Sequence, residues 1–178
     1  RLFIASGRAK DATKIGLDVE FDGLIASLGA DIYYKDEEIY DKSFTEAEII
    51  KIKDLASKYQ IGISFECRHK GFGSEILLNR VYGRKANTKL FQNKEKYWYR
   101  FDEYTDEKVY KFMAETILEN KIAYDLFLKE IKSFCEVLDY KDRNEPVGEV
   151  SPLGVSKGFG IQKLSDLGLI DLKNTIVI

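Results

Sequence analysis

The run Leu2-Phe3-Ile4-Ala5, closing on Ser6-Gly7-Arg8, constrains this chain most: a short apolar run ended by a hydroxyl, a glycine and an arginine is written like a buried parallel strand opening onto a ligand. The small residues after it and the helix-compatible stretch Ala9 to Ile15 predict strand, turn, helix. In open α/β sheets ligands bind beyond the carboxyl ends of the strands, where helix N-termini present free backbone N–H groups. Ser6 falls at that point. Gly7 lets an anion approach the backbone, and Arg8 adds a planar charge suited to phosphate or carboxylate. A plain strand-turn-helix with a solvated arginine reads the same residues equally well.

Over 178 residues, 44% of them hydrophobic and 33% charged, there is enough apolar chain to bury a sizeable core in one domain or two small ones. With 28 basic against 30 acidic residues the net charge is -2. Such a chain carries no global field for nucleic acid, so an anionic ligand must be held by a local site. No apolar run approaches a membrane span or the core of a secretory signal, so no membrane partner is expected and the expected location is the cytoplasm. The two cysteines, Cys67 and Cys135, form no CxxC pair and read as reduced, partly buried thiols. The single histidine, His69, argues against a histidine triad or a multi-histidine metal site. The chain starts at Arg1, one residue before an apolar strand, and stops at Ile178 inside another apolar run. Termini normally sit at the exposed surface, so the expectation is a fragment of a longer protein.

Along the chain, Phe21 to Ser27 repeats the opening pattern as a second short buried strand, followed by Leu28-Gly29-Ala30. Asp31 to Tyr34 and Glu38 to Lys42 flank a charged turn and predict a β-hairpin. Thr45-Glu46-Ala47-Glu48 is a capping box with Phe44 and Ile49 placed as a hydrophobic staple, so a helix starts there. Ile61 to Cys67 alternates as a half-buried strand. Arg68-His69-Lys70-Gly71-Phe72-Gly73 reads as a mobile basic loop, and Tyr97-Trp98-Tyr99-Arg100-Phe101 as an aromatic run packed in a sheet rather than stacked on nucleic acid. Lys108 to Ala114 predicts a strand and Asn120 to Phe134 a second long helix. Cys135 to Tyr140 and Val147 to Ser151 form a strand pair around the polar turn Lys141 to Pro146.

The last stretch returns to the first habit: Ser156 caps a helix running to a glycine stop at Gly168, followed by a buried strand over Thr175 to Ile178. Lys157 then stands in the first helical turn, where a cation opposes the macrodipole by roughly 0.3 to 1 kcal/mol. A lysine pointing to water explains that placement. So does a bound anion: a phosphate charge at about 4 Å contributes about 4 kcal/mol at an effective dielectric of about 20, which outweighs the dipole.

Together these residues resemble the Cof-type branch of the haloacid dehalogenase-like hydrolases. Phe3-Ile4-Ala5-Ser6-Gly7-Arg8 is similar to that family's second motif, and Gly154-Val155-Ser156-Lys157-Gly158 leading into a helix is similar to its third. Phe21-Asp22-Gly23-Leu24-Ile25 with Gly29-Ala30, and Val147 to Pro152, are similar to further parts of the pattern. The resemblance implies an α/β fold, with a Rossmann-like parallel-sheet core carrying a large inserted α+β cap. Residues 1–43 would be the first part of the core, 44–150 the cap and 151–178 the second, truncated part of the core. It further implies that Ser6 and Lys157 are catalytic, that Ser6, Gly7 and Lys157 bind phosphate, and that Arg8 and Gly29 lie against the substrate.

The same resemblance implies a magnesium-dependent phosphatase that hydrolyses a small phosphorylated metabolite, a sugar phosphate first among them, through an aspartyl-phosphate. The family's nucleophilic and acid/base aspartates precede its second motif and its acidic metal-binding motif follows the third. Neither is matched in these residues, so the magnesium ligands are expected outside this chain and the fragment alone is expected to be inactive. Asp11, Asp18 and Asp22 lack the strand context to replace them. Leu28 stands where the family commonly has asparagine, a departure at the polar contacts of that loop. The unmatched acids also admit a non-catalytic phosphate-binding or interaction module. A nucleotide-binding Rossmann domain is weaker, since no GxGxxG turn follows the first strand.

Overall fold

Two separate sheets follow from the two habits of the sequence. The computed structural model describes residues 1–14, 19–74, 98–140 and 145–176. The smaller sheet has the order β1-β2-β3-β4, from β1 (Phe3–Ala5), β2 (Gly23–Ala26), β3 (Asp31–Tyr34) and β4 (Glu37–Asp41). β1 and β2 are parallel, with Ile4 opposite Leu24, and helix α1 (Lys10–Lys14) lies on the crossover between them. β3 and β4 add antiparallel strands. Their hairpin turns at Lys35 and Asp36, with φ of 50° and 64°. Two successive left-handed residues make a type I′ turn, whose twist suits the strands, although no Asn-Gly signals it.

The larger sheet has the order β7-β6-β5-β8-β10-β9. Its strands are β5 (Gly62–Glu66), β6 (Gly71–Gly73), β7 (Trp98–Arg100), β8 (Lys111–Glu115), β9 (Cys135–Asp139) and β10 (Val147–Pro152). Helices α2 (Glu46–Tyr59) and α3 (Lys121–Ile131) cover it. Ile49, Ile52 and Leu55 of α2 and Tyr124, Phe127 and Ile131 of α3 share one core with Ile63, Phe65, Phe112 and Val150 of the sheet. The capping box starts α2 as the sequence predicts: Glu48 N donates to Thr45 Oγ1 at 3.3 Å and Thr45 N to Glu48 Oε2 at 2.8 Å. Burial pushes the thiols of Cys67 and Cys135 up to about 12, so both are protonated and unreactive at neutral pH. A fourth helix, α4 (Lys157–Asp166), returns to the smaller sheet, where Ile161 and Leu164 pack on Ile25 and Ile32.

Several expectations are corrected. The segment Arg68 to Gly73 is no mobile loop: Cys67 N donates to the Lys70 carbonyl at 2.9 Å, closing a tight turn, and Gly71–Gly73 is strand β6. Strand β8 begins at Lys111, with Val109 and Tyr110 as a buried lead-in, and α3 ends at Ile131. The aromatic run does pack in the sheet, Tyr99 lying 5.9 Å from the Phe72 ring and Phe101 4.9 Å from Phe65, while Tyr97 is outside the described residues. No strand forms at Thr175 and Ile176, which follow a 3₁₀ turn at Leu172–Asn174, and Ile176 is 87% exposed. β-Branched residues favour a strand only where a neighbour offers a ladder to pair with. Val177 and Ile178 lie outside the described residues, as do residues 15–18, 75–97 and 141–144.

The sheets meet through a charge cluster centred on Arg68. Its Nε donates to Asp31 Oδ2 at 3.1 Å and its Nη2 to Asp31 Oδ1 at 2.9 Å, with Glu38 and Asp41 on the same nitrogen. The guanidinium lies over the rings of Tyr33 and Tyr110, whose hydroxyls donate to Asp31 and Asp41 at 2.8 Å each. Nearby, Lys42 Nζ donates to the Leu153 carbonyl at 2.8 Å, tying together the two segments that cross between the sheets.

Arg68→Ala leaves the Asp31 side chain, only 1% exposed, without its cation. Loss of one partner of a buried pair is expected to destabilise the intact protein by roughly 3 kcal/mol, read from urea unfolding. Burial pushes the Asp41 carboxyl up, but hydrogen bonds from Lys108 and Tyr110 and the nearby Arg68 charge outweigh it and hold the carboxyl below its ordinary range. A depressed native value stabilises above the unfolded one, so this contribution is complete above about pH 4 to 5 and fades as the pH falls further. Asp41→Asn is expected to flatten the acid limb of the unfolding midpoint against pH.

Candidate functional site

At the carboxyl end of β1 the backbone enters the turn Ser6-Gly7-Arg8. Ser6 N donates to the Ile25 carbonyl at 2.8 Å, extending the parallel ladder by one residue. Arg8 N donates to Ser6 Oγ at 3.0 Å. That bond occupies a lone pair of the hydroxyl and leaves its proton available to an acceptor, which is what contact with an anion requires.

The loop after β2 holds this turn in place. Ser27 N donates to the Arg8 carbonyl at 2.9 Å and Leu28 N to the Ser6 carbonyl at 3.1 Å. To reach both, the backbone runs left-handed through Ser27, Leu28 and Gly29, with φ of 49°, 63° and 106°. Such a run in residues other than glycine is strained and persists only where its surroundings fix it. Leu28, where the family commonly has asparagine, is buried, and its Cδ2 would lie 3.2 Å from a methyl placed on Gly7. The departure thus replaces a polar contact by an apolar one against the same turn.

Gly29 joins this loop to the chain's later motif. A methyl on its Cα would stand 2.2 Å from the Ser156 carbonyl oxygen and 3.4 Å from Lys157 N, so only glycine fits. Ser156 caps α4 by accepting from Phe159 N at 3.1 Å. A methyl on Gly160 would stand 2.5 Å from Ile25 Cγ2, so the helix lies directly on β2. Ser6, Gly7, Gly29 and Lys157 are therefore set around a single loop, although some hundred and fifty positions separate the first from the last. Lys157 and Arg8 make no side-chain ion pair among the described residues, and Arg8 is exposed.

A contact from the larger sheet, absent from the sequence reading, reaches the same turn. Glu149 on β10 brings its Oε2 to 3.2 Å from the methyl position of Gly7, while its Oε1 accepts from Lys111 Nζ at 3.2 Å. Lys111, whose side chain is 3% exposed, also pairs with Glu66 at 3.2 Å. Only the residue spacing on two strands distant in sequence could have signalled it. His69, at the tip of the β5–β6 turn, places Nδ1 2.5 Å from Asp11 Oδ2 on α1. This histidine thus links the β5–β6 turn of the larger sheet to helix α1. Among the described residues no three His, Cys, Asp or Glu side chains are grouped to hold a metal ion, and no helix there is long and apolar enough to cross a membrane.

A family model described as haloacid dehalogenase-like hydrolase matches residues 1–178. No curated protein matches the sequence significantly. Among solved structures, the chain is similar to the sugar phosphatase BT4131, described as of haloacid dehalogenase subclass IIB, at 20% identity and a TM-score of 0.67, over 97% of this chain and 64% of that one. It is similar to the phosphatase BT1666 of Bacteroides thetaiotaomicron at 18% identity and a TM-score of 0.66, over 96% of this chain and 60% of that one. A haloacid dehalogenase-like hydrolase of B. subtilis gives 14% identity and a TM-score of 0.71, over 97% and 68%. The chain thus spans under two thirds of the length of the two phosphatases, and at these identities the likeness is one of fold: an α/β core bearing a cap.

Gly29→Ala adds a side chain where the backbone is left-handed and the Ser156 carbonyl leaves no room. The substitution is expected to destabilise the intact protein by roughly 2 kcal/mol or more, read by thermal unfolding, whereas Gly154→Ala, with open space around it, should cost only its φ strain of about 1 kcal/mol.

Proposed function

The chain belongs to the haloacid dehalogenase-like hydrolases, and from that membership we propose that the intact protein is a phosphatase acting on a small phosphorylated metabolite, a sugar phosphate first among them. The observation that supports it most is the seating of the Ser6 turn and the start of α4 on opposite sides of the loop Ser27–Gly29. In this reading the Ser6 hydroxyl and the Gly7 N–H donate to phosphate oxygens, and Lys157 offsets their charge. Phosphoryl transfer asks a protein mainly to position the group and to compensate charge on its equatorial oxygens, and these groups do both. Arg8, exposed and without a side-chain ion pair among the described residues, is available to the group that carries the phosphate.

Magnesium dependence and an aspartyl-phosphate intermediate belong to this proposal through the family. The described residues present no donor set that fits the ion. The residues in hand bind and orient the phosphate, while the nucleophile lies in a family motif that these 178 residues do not match. Cytoplasmic location is part of the same proposal.

Assay of the intact protein on a panel of sugar phosphates with magnesium tests the reading. Hydrolysis releasing inorganic phosphate is expected, and Lys157→Ala is expected to lower kcat/KM by about a hundredfold or more. Equal turnover by the variant would remove Lys157 from the reaction. Saturable binding of the esters without turnover would instead favour a non-catalytic phosphate-binding module.

A further inference from the structure

The larger sheet places one carboxylate against the proposed phosphate turn, and that carboxylate has an oxygen to spare. Glu149 Oε1 accepts from Lys111, whereas Oε2, the carboxylate oxygen nearer the methyl position of Gly7, has no hydrogen-bond partner among the described residues. A bare carboxylate beside a phosphate site repels the dianion, so its presence needs a reason. Lys111 supplies half of one: its ammonium, buried between Glu66 and Glu149, lowers the local negative charge and fixes the Glu149 side chain. The remaining oxygen is a pure acceptor, held on a rigid strand rather than a loop.

Resting on the phosphatase reading, we propose that Glu149 selects the substrate by accepting a hydrogen bond from a hydroxyl of the group that bears the phosphate. The ligand group that suits an anionic acceptor next to a phosphate is a hydroxyl on a carbon near the ester. A second carboxylate in that place is repelled, and an apolar group leaves the acceptor unsatisfied. Glu149 therefore favours phosphorylated polyols and sugars and disfavours phosphorylated acids and simple aryl esters. Lys111 and Glu66 act as positioning residues, since they reach the ligand only through Glu149.

The test uses the intact protein with sorbitol 6-phosphate, which carries hydroxyls beside the ester, and phenyl phosphate, which carries none. The readout is the ratio of the two kcat/KM values in wild type and in Glu149→Gln, which keeps the shape and removes the charge. A hydrogen bond to a charged acceptor corresponds to a fall of about tenfold in that ratio, expected mainly in KM for the polyol ester. An unchanged ratio, whatever happens to the absolute rates, overturns the proposal, because a merely structural role for Glu149 harms both esters alike. If Glu149→Gln does not fold, Glu149→Asp, which draws the carboxylate back by one methylene, is expected to lower the same ratio, and a constant ratio again overturns it. Wild-type protein that hydrolyses neither ester nor any member of the sugar phosphate panel overturns the phosphatase reading instead. The carboxylate is then judged by calorimetry of sorbitol 6-phosphate against inorganic phosphate: Glu149→Gln weakening only the former sustains the proposal, and equal weakening or none overturns it.

Discussion

The approach of Gly29 to the Ser156 carbonyl is the constraint on which the rest of the smaller sheet depends. It forces the loop after β2 to run left-handed through three residues, and in that shape the loop's own N–H groups face the Ser6 turn. The strain at Ser27 and Leu28 costs about 1 kcal/mol or more each. The bonds from Ser27 N to Arg8 and from Leu28 N to Ser6 return about as much. The geometry is thus close to neutral in free energy, and it holds because α4 and β1 grip the loop from both sides. Removing either side frees the loop to relax.

The contact between the sheets is electrostatic where the interior of each is apolar. Arg68 gathers Asp31, Glu38 and Asp41, with the rings of Tyr33 and Tyr110 against its guanidinium. A planar guanidinium suits that task, since it forks to one carboxylate and still presents an N–H to others. Lys111 and its two glutamates form a second charged cluster, inside the larger sheet, of which Glu149 reaches the Ser6 turn. Polar interfaces of this kind favour one relative placement of two bodies without welding them, because every ion pair broken on separation is recovered partly from water.

Local signals carried most of the architecture. The capping box at Thr45, the cap at Ser156 and the alternation over Ile61 to Cys67 are read from a few neighbouring residues, and the structure forms each of them. What local signals could not carry were partners distant in sequence. Arg68 to Lys70 reads as a free basic loop until Asp31, Asp41 and Glu107 are brought to it. Glu149 looks like an ordinary solvent-facing strand position until Gly7 lies beside it. The family motifs, by contrast, encode long-range meetings in short strings, which is why Gly29 and Lys157 could be singled out at all. Thr175 and Ile176 form no strand for the opposite reason: their residues suit one, but no strand among the described residues pairs with them.

The bond from Lys42 to the Leu153 carbonyl has a consequence for how such a molecule changes over generations. It means that the whole larger sheet departs from and rejoins its platform at neighbouring points. An insert whose two ends lie side by side imposes no stretch on the host. It can grow, shrink or be exchanged for another graft while the turn proposed to hold phosphate stays unmoved beneath it, so that the two parts are free to diverge at separate rates.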